Sequence, residues 1–206
     1  MFATDSRRAD AMKRATFALW GLLLAVAIAG SAEEAKPPTA ILLVARAELP
    51  DPNFRDSVVL VMNNIAHAPV GVIVNRPTSM TASRLFPDIE RLRRHDEKVY
   101  FGGPVDLGSV SFLFRADAPP EHAVAAVEGI CFSRSAELLR TLLERDKPAD
   151  GLRIFIGLSG WAPGQLEAEI SRGDWTLEAA KPGTLFDRRP EHPWPERHAP
   201  DKSRRS

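Results

Sequence analysis

The sequence predicts an α+β fold in a single domain. Three observations carry that reading. The 206 residues, 44% hydrophobic and 26% charged, have the length and composition of one globular unit. Apolar runs such as "AILLVA" (Ala40 to Ala45) and "SVSFLFR" (Ser109 to Arg115) fill the first part of the chain and read as strands. Firm helical patterning enters later, in "SAELLRTLLERD" and "PGQLEAEISRG", so the order is strands, then mixed helix and strand, rather than a βαβ array.

The N-terminus carries a targeting pattern. "RRADAMKR" is basic, "ATFALWGLLLAVAIA" is uncharged and apolar, and "GSA" offers small residues before "EEA". That is the order of a secretory signal peptide, with cleavage expected after Ala32. The apolar run is shorter than the roughly 20 residues of a spanning helix, and an uncleaved N-terminal anchor is the alternative. Residues 1–32 are thus the signal and 33–38 a polar linker; 39–187 form the domain, and the proline-rich, charged 188–206 a disordered tail. The expected location is exported, most simply periplasmic, with membrane contact only through an uncleaved N-terminal segment.

Within the domain, "AILLVA" is a continuous apolar run and a central strand. "ELPDPNFRD" is a loop, "SVVLVM" (Ser57 to Met62) a second strand, and "VGVIVNRP" (Val70 to Pro77) a third, closed by proline. "TASRLF" reads as a short helix capped by Ser79 or Thr81, and "RLRRHDEK" as a solvated connection. "VYFGGPV" is a strand entering a turn, "SVSFLFR" a half-buried strand, and "AVEGICFS" one more strand. In "SAELLRTLLERD", Leu138, Leu139, Leu142 and Leu143 make one apolar face, with Ser133 or Ser135 as cap. "LRIFIGLSGW" is a buried strand. Pro163 fits a first helical turn, Leu166 and Ile170 face the core together, and Gly173 stops the helix before the strand "DWTLEA".

Charge and residue types narrow the function. Lys+Arg and Asp+Glu number 27 each, so no global basic field marks a nucleic-acid partner. The dense cluster Arg91, Arg93, Arg94 and Lys98 is offset by Glu90, Asp96 and Glu97 and reads as a solvated face. Cys131 is a lone cysteine flanked by Ile130 and Phe132, expected as a buried structural thiol. His67, His95, His122, His192 and His198 show no metal-ligand spacing. No cofactor is expected.

"GLSGWAPGQLEAEISRGDW" (Gly157 to Trp175) admits three readings. A nucleophile elbow would place Ser159 as nucleophile, but Trp161 stands where the second glycine belongs and only tail histidines follow. An anion cradle would use the helix N-terminus, but Pro163 removes a donor and no lysine follows. A structural corner needs only tight glycines, Trp161 as a core plug and a helix start. Asp51 and Asn53 in "DPNF", and Asn75 and Arg76 in "NRP", offer a polar cluster or, alternatively, an Asx turn and a strand terminator. Gly102 and Gly103 open no helix and make a poor dinucleotide fingerprint.

Taken together, "LLVARAELPDPNFRDSVVLVMNN", "GVIVNRP", "YFGGPV" and "GLSGWAPGQLEAEISRGDW" resemble the AlgH/YqgE family of bacterial proteins across residues 41–178. The resemblance implies a strongly curved, barrel-like mixed β-sheet flanked by helices. It emphasises Asp51, Asn75, Arg76, Gly102, Gly103, Gly160, Trp161, Gly164 and Gln165 as lining one cleft or bracing one another. Family members often carry Ala at the position of Ser159, which implies that this serine is no required nucleophile. Some members are labelled regulators of transcription; the apparent signal here departs from their cytoplasmic location. The prolines after Phe186 depart from the family's closing helix. The expected function is a non-enzymatic module that binds a small ligand or a protein, without direct nucleic-acid contact. An enzyme using the glycine-rich corner and a transcriptional regulator are the alternatives.

Overall fold

The computed structural model describes residues 40–186, apart from residues 63, 64, 67, 95, 96 and 149. The expected signal segment, linker and tail lie outside the described residues, as do His67, His95, His192 and His198.

Ten strands form one strongly curled, half-barrel sheet with a few helices, an α+β arrangement. β1 (Ala40–Ala45), β2 (Val58–Met62), β3 (Val70–Ile73) and β10 (Trp175–Ala179) make an antiparallel ladder in the order β10-β1-β2-β3. β6 (Val105–Arg115), β7 (Ala123–Val127) and β8 (Ile130–Ser133) make a second one. β9 (Leu152–Gly160) joins them. One side of it pairs with β6 from Leu152 to Leu158. The other side carries β5 (Lys98–Phe101) in parallel at Phe155 and Ile156, then β3 at Ser159 and Gly160. The sheet is therefore mixed, though nearly all its pairings are antiparallel.

Alternation sorts the side chains into three cores. Leu42, Leu60, Val72, Leu113, Phe132 and Phe155 gather in one cluster. It draws on both ladders, which only the inside of a curl can do. Leu43, Val59, Val61 and Ile73 point the opposite way, under α3 (Gln165–Arg172). Phe112, Phe114, Cys131 and Ile154 lie under α2 (Ala136–Leu143) with Leu139, Leu142 and Leu143. β2 is buried along its whole length, which is why "VVLVM" is apolar without alternation.

Several expectations are corrected. The third strand ends at Ile73, and Pro77–Thr81 forms its own strand, β4, on β5. Proline at the first position of a strand gives up no needed donor, and the exposed, polar β4 carries little apolar signal. The helix after it is only α1 (Ala82–Leu85), whose Thr81 cap makes no side-chain capping bond. The charged connection holds a 3₁₀ turn, Glu90–Arg94, that buries Leu92. "AVEGICFS" is not one strand but the hairpin β7–β8. Ser135 caps α2 by accepting from the Leu138 N–H at 3.2 Å. Pro163 lies ahead of α3, whose cap is Gly164, while Gly173 ends it as expected. A short helix, α4 (Pro182–Phe186), buries Leu185 among the inner core, and the prolines expected to break the family's closing helix lie outside the described residues.

Candidate functional site

The polar motif residues converge on one loop, Asp51 to Ser57. Asp51 Oδ1 accepts from the Asn53 N–H at 2.8 Å, the expected Asx turn. Asp56 holds a positive φ of 59°, a conformation aspartate tolerates. Asn75 reaches across from the end of β3. Its Oδ1 accepts from the Val58 N–H at 2.9 Å and its Nδ2 donates to the Asp56 carbonyl at 2.9 Å. Arg76 donates through Nη1 to the Asn53 carbonyl at 2.6 Å and through Nη2 to the Arg55 carbonyl at 2.8 Å. Its guanidinium sits 5.6 Å from the centre of the Phe101 ring. Burial lowers the Arg76 pKa and the nearby Asp56 charge opposes that shift. "NRP" is thus more than a strand terminator: Asn75 and Arg76 splint a surface loop through its backbone. Pro52, Asn53, Arg55 and Asp56 remain exposed.

Phe54 points inward from the same loop. Its ring stacks on Trp161 at 6.0 Å and meets Trp175 edge-on at 5.7 Å. The two indoles lie 6.4 Å apart at 75°. Both indole N–H groups donate to Glu169 Oε2, at 3.0 and 2.9 Å. Gln165 donates to Glu169 Oε1 at 2.9 Å and accepts from the Ala162 N–H at 3.1 Å. Trp161 is the core plug the structural reading requires, 5% exposed. Glu169 and Trp175 were not among the sequence candidates. The helical spacing from Gln165 to Glu169 was the available signal for the carboxylate.

Below this brace, the glycines form the junction of β3, β5 and β9. The Gly102 N–H donates to the Ile156 carbonyl at 2.8 Å, and the Gly102 carbonyl accepts from Ile73 N–H at 2.9 Å. A Cβ on Gly102 would stand 2.3 Å from the Gly157 carbonyl oxygen, and one on Gly157 would stand 2.3 Å from that of Gly103. Gly103 is equally confined, 2.3 Å from the Leu158 oxygen. Side chains are excluded because three backbones cross here. Gly160 differs: it is exposed, and its nearest neighbour would be a Val105 methyl at 3.8 Å.

This geometry bears on each reading of the corner. Ser159 is 0% exposed and its hydroxyl donates to the Gly102 carbonyl at 3.0 Å, so it is presented to no substrate. At the start of α3 the Ala162 and Gln165 N–H groups already have acceptors, and Glu167 and Glu169 follow where an anion would sit. Asp51, Asn53, Asn75, Arg76, Trp161 and Gln165 form one continuous brace through Phe54 and Glu169. Gly102, Gly103 and Gly160 lie at the strand junction beneath it, and Gly164 caps α3. These residues pack against one another. A cavity of about 410 Å³ lies elsewhere, between Phe86, Val110, Phe112 and Leu139 with Arg134 at its rim. Another of about 280 Å³ lies between Arg46, Leu49, Arg172 and Asp174. Neither is lined by the motif residues. Among the described residues no three His, Cys, Asp or Glu side chains converge as a metal would require.

Comparison with known proteins agrees with the motif pattern. The family described as AlgH-like matches residues 42–199. A UPF0301 protein of Anaeromyxobacter dehalogenans is 37% identical over 162 residues, spanning 74% of this chain and 82% of the relative. A UPF0301 protein of Streptomyces coelicolor is 35% identical over 161 residues, spanning 77% and 83%. Among solved structures, the AlgH protein from Pseudomonas aeruginosa aligns with a TM-score of 0.57 at 25% identity, covering 72% of this chain and 80% of that one.

Proposed function

The chain belongs to the AlgH-like family, and from that premise we propose that it is an exported, non-enzymatic binding module whose contact surface is the splinted loop Asp51–Ser57. One observation carries the reading: Asn75 and Arg76 spend three side-chain hydrogen bonds on the Asn53, Arg55 and Asp56 carbonyls of a loop whose Pro52, Asn53, Arg55 and Asp56 side chains stay exposed. A surface loop left to itself gains entropy by moving. Holding it still is useful where a partner must find a preformed shape, because the ordering cost is then met before binding. Function commonly sits on such loops over a rigid scaffold. Phe54, locked between two tryptophans, supplies the rigidity. The mixed charges of Arg55 and Asp56 suit a protein surface better than a nucleic acid.

The enzymatic alternative loses support at the corner, where the one hydroxyl is buried and committed. Export rests on the basic, apolar and small-residue order of residues 7–32.

Photo-crosslinking in the producing cell tests the surface. A benzophenone side chain replacing Asn53 or Arg55 is expected to form a discrete adduct; one replacing Glu144, the C-cap just after α2, is not. The Arg76→Ala background should weaken the adduct, since the loop is then unsplinted. Equal adducts at all three positions, or none at the loop, would remove the reading. Fusing residues 1–39 to a reporter that folds only outside the cytoplasm tests export separately.

A further inference from the structure

β8 pairs with β6 only from Ile130 to Ser133. The last pair is Phe112 with Ser133; after it the chain climbs through Arg134 and Ser135 into α2. Among the described residues, β6 therefore has no strand beside it on that flank ahead of Phe112. Its other flank stays on β9 as far as Val110, then bulges through residues 106–109 before pairing again at Val105. The gap so formed is the cavity of about 410 Å³ floored by Phe86, Val110, Phe112 and Leu139. That volume suits a small ligand. Phe112 and Leu139 are buried, while Phe86 and Val110 are only half covered.

Polar groups gather at the rim of this apolar floor. Arg134 Nη2 donates to Asp106 Oδ2 at 2.5 Å, and the other guanidinium N–H groups have no acceptor among the described residues. Ser135 Oγ accepts from the Leu138 N–H at 3.2 Å, which leaves its own O–H able to donate. Asp106 is held in place by the bulge, at a φ of 52°, with Ser109 Oγ donating to its carbonyl at 3.0 Å. Its pairing shows that a carboxylate seats well on Arg134. Its charge also disfavours a dianion beside it.

We propose that this cleft binds a small aliphatic monocarboxylate. The chain would lie on Phe86, Val110, Phe112 and Leu139, where each methylene taken out of water adds to affinity. The carboxylate would accept from the unused N–H groups of Arg134 and from the Ser135 hydroxyl, charge-assisted bonds that a neutral head cannot match. None of the lining belongs to the 51–57 loop, so the site stands or falls without that surface.

Calorimetric titration of the full chain with butanoate, hexanoate and octanoate tests this. Affinity is expected to rise ~fourfold per methylene until the cleft is full. Hexanol, with the chain but no charge, should bind ~tenfold more weakly than hexanoate. Arg134→Met should bring hexanoate down to the level of hexanol; if it does not melt cooperatively, Arg134→Gln serves in its place. Ala136→Trp, at an exposed position on the rim, should block the mouth and abolish binding while the melting temperature holds. Each of these results would overturn the proposal: no saturable octanoate binding by the parent chain, affinity that ignores chain length, hexanol equal to hexanoate, or full hexanoate binding by a folded Arg134 variant or by folded Ala136→Trp.

Discussion

Trp161 and Trp175, from two different elements, give their indole N–H groups to one oxygen, Glu169 Oε2. That atom ties the corner, α3 and β10 into one unit, with Phe54 wedged against both rings. Glu169→Ala would orphan two N–H groups on buried indoles. The expected cost is about 1–3 kcal/mol for each, read as a lower urea midpoint. Glu169→Gln keeps an acceptor and should recover part of it. An unchanged midpoint in Glu169→Ala would show that the shared acceptor contributes nothing.

The glycines of the corner should respond unequally. Gly157 has a φ of +72°, and a Cβ there collides with the Gly103 oxygen. Gly157→Ala is expected to lose more than about 3 kcal/mol or fail to fold, from backbone strain and overpacking together. Gly160→Ala meets only ordinary contact and should stay within about 0.5 kcal/mol of the parent. Similar melts for the two would discard the junction account.

Ser159→Ala should be mild, although the residue is wholly buried. The Gly102 carbonyl it serves keeps a second donor, the Ile73 N–H at 2.9 Å. A loss of about 0.5–1.5 kcal/mol is expected, the net worth of one hydrogen bond. Abolition of a measured hydrolysis by this substitution would restore Ser159 as a nucleophile.

Burial pushes the Cys131 thiol above its ordinary value of 9.0. The unfolded chain then releases this proton before the folded one does. The resulting stabilisation is whole below pH 9.0 and is lost as pH rises through the folded value. The stability difference between the parent and Cys131→Ala, taken from denaturant melts, should therefore shrink from pH 8 to pH 10. A constant difference would mean the thiol titrates alike in both states.

Much of the fold was legible because burial on one or both faces leaves a pattern. "AILLVA" and "SVVLVM" announce central strands, and the leucines after Ser135 announce α2. β4 was hidden because an exposed edge strand needs no apolar run. The role of the corner glycines was hidden for a different reason. The atoms a side chain would strike belong to backbones distant in sequence, so "GLSG" looks the same whether it presents a ligand site or a crossing. Arg153 reads as an ordinary charge in "LRIFIGLSG", yet it is buried. Its burial depends on which face of β9 is inside, and that follows from pairing with β6 rather than from local pattern.

The position of β9 in the chain also governs the order of assembly. Its partners β3, β5 and β6 all leave the ribosome before Leu152–Gly160 does. Until that segment emerges, the β1–β3 meander and the β6–β8–β7 array have no strand in common and no closed interior. Non-local closure of this kind comes late and leaves apolar edges waiting. Through most of its synthesis the polypeptide therefore stays open, in the condition that a holding chaperone or a narrow translocation channel accepts. It locks only when its third quarter has arrived.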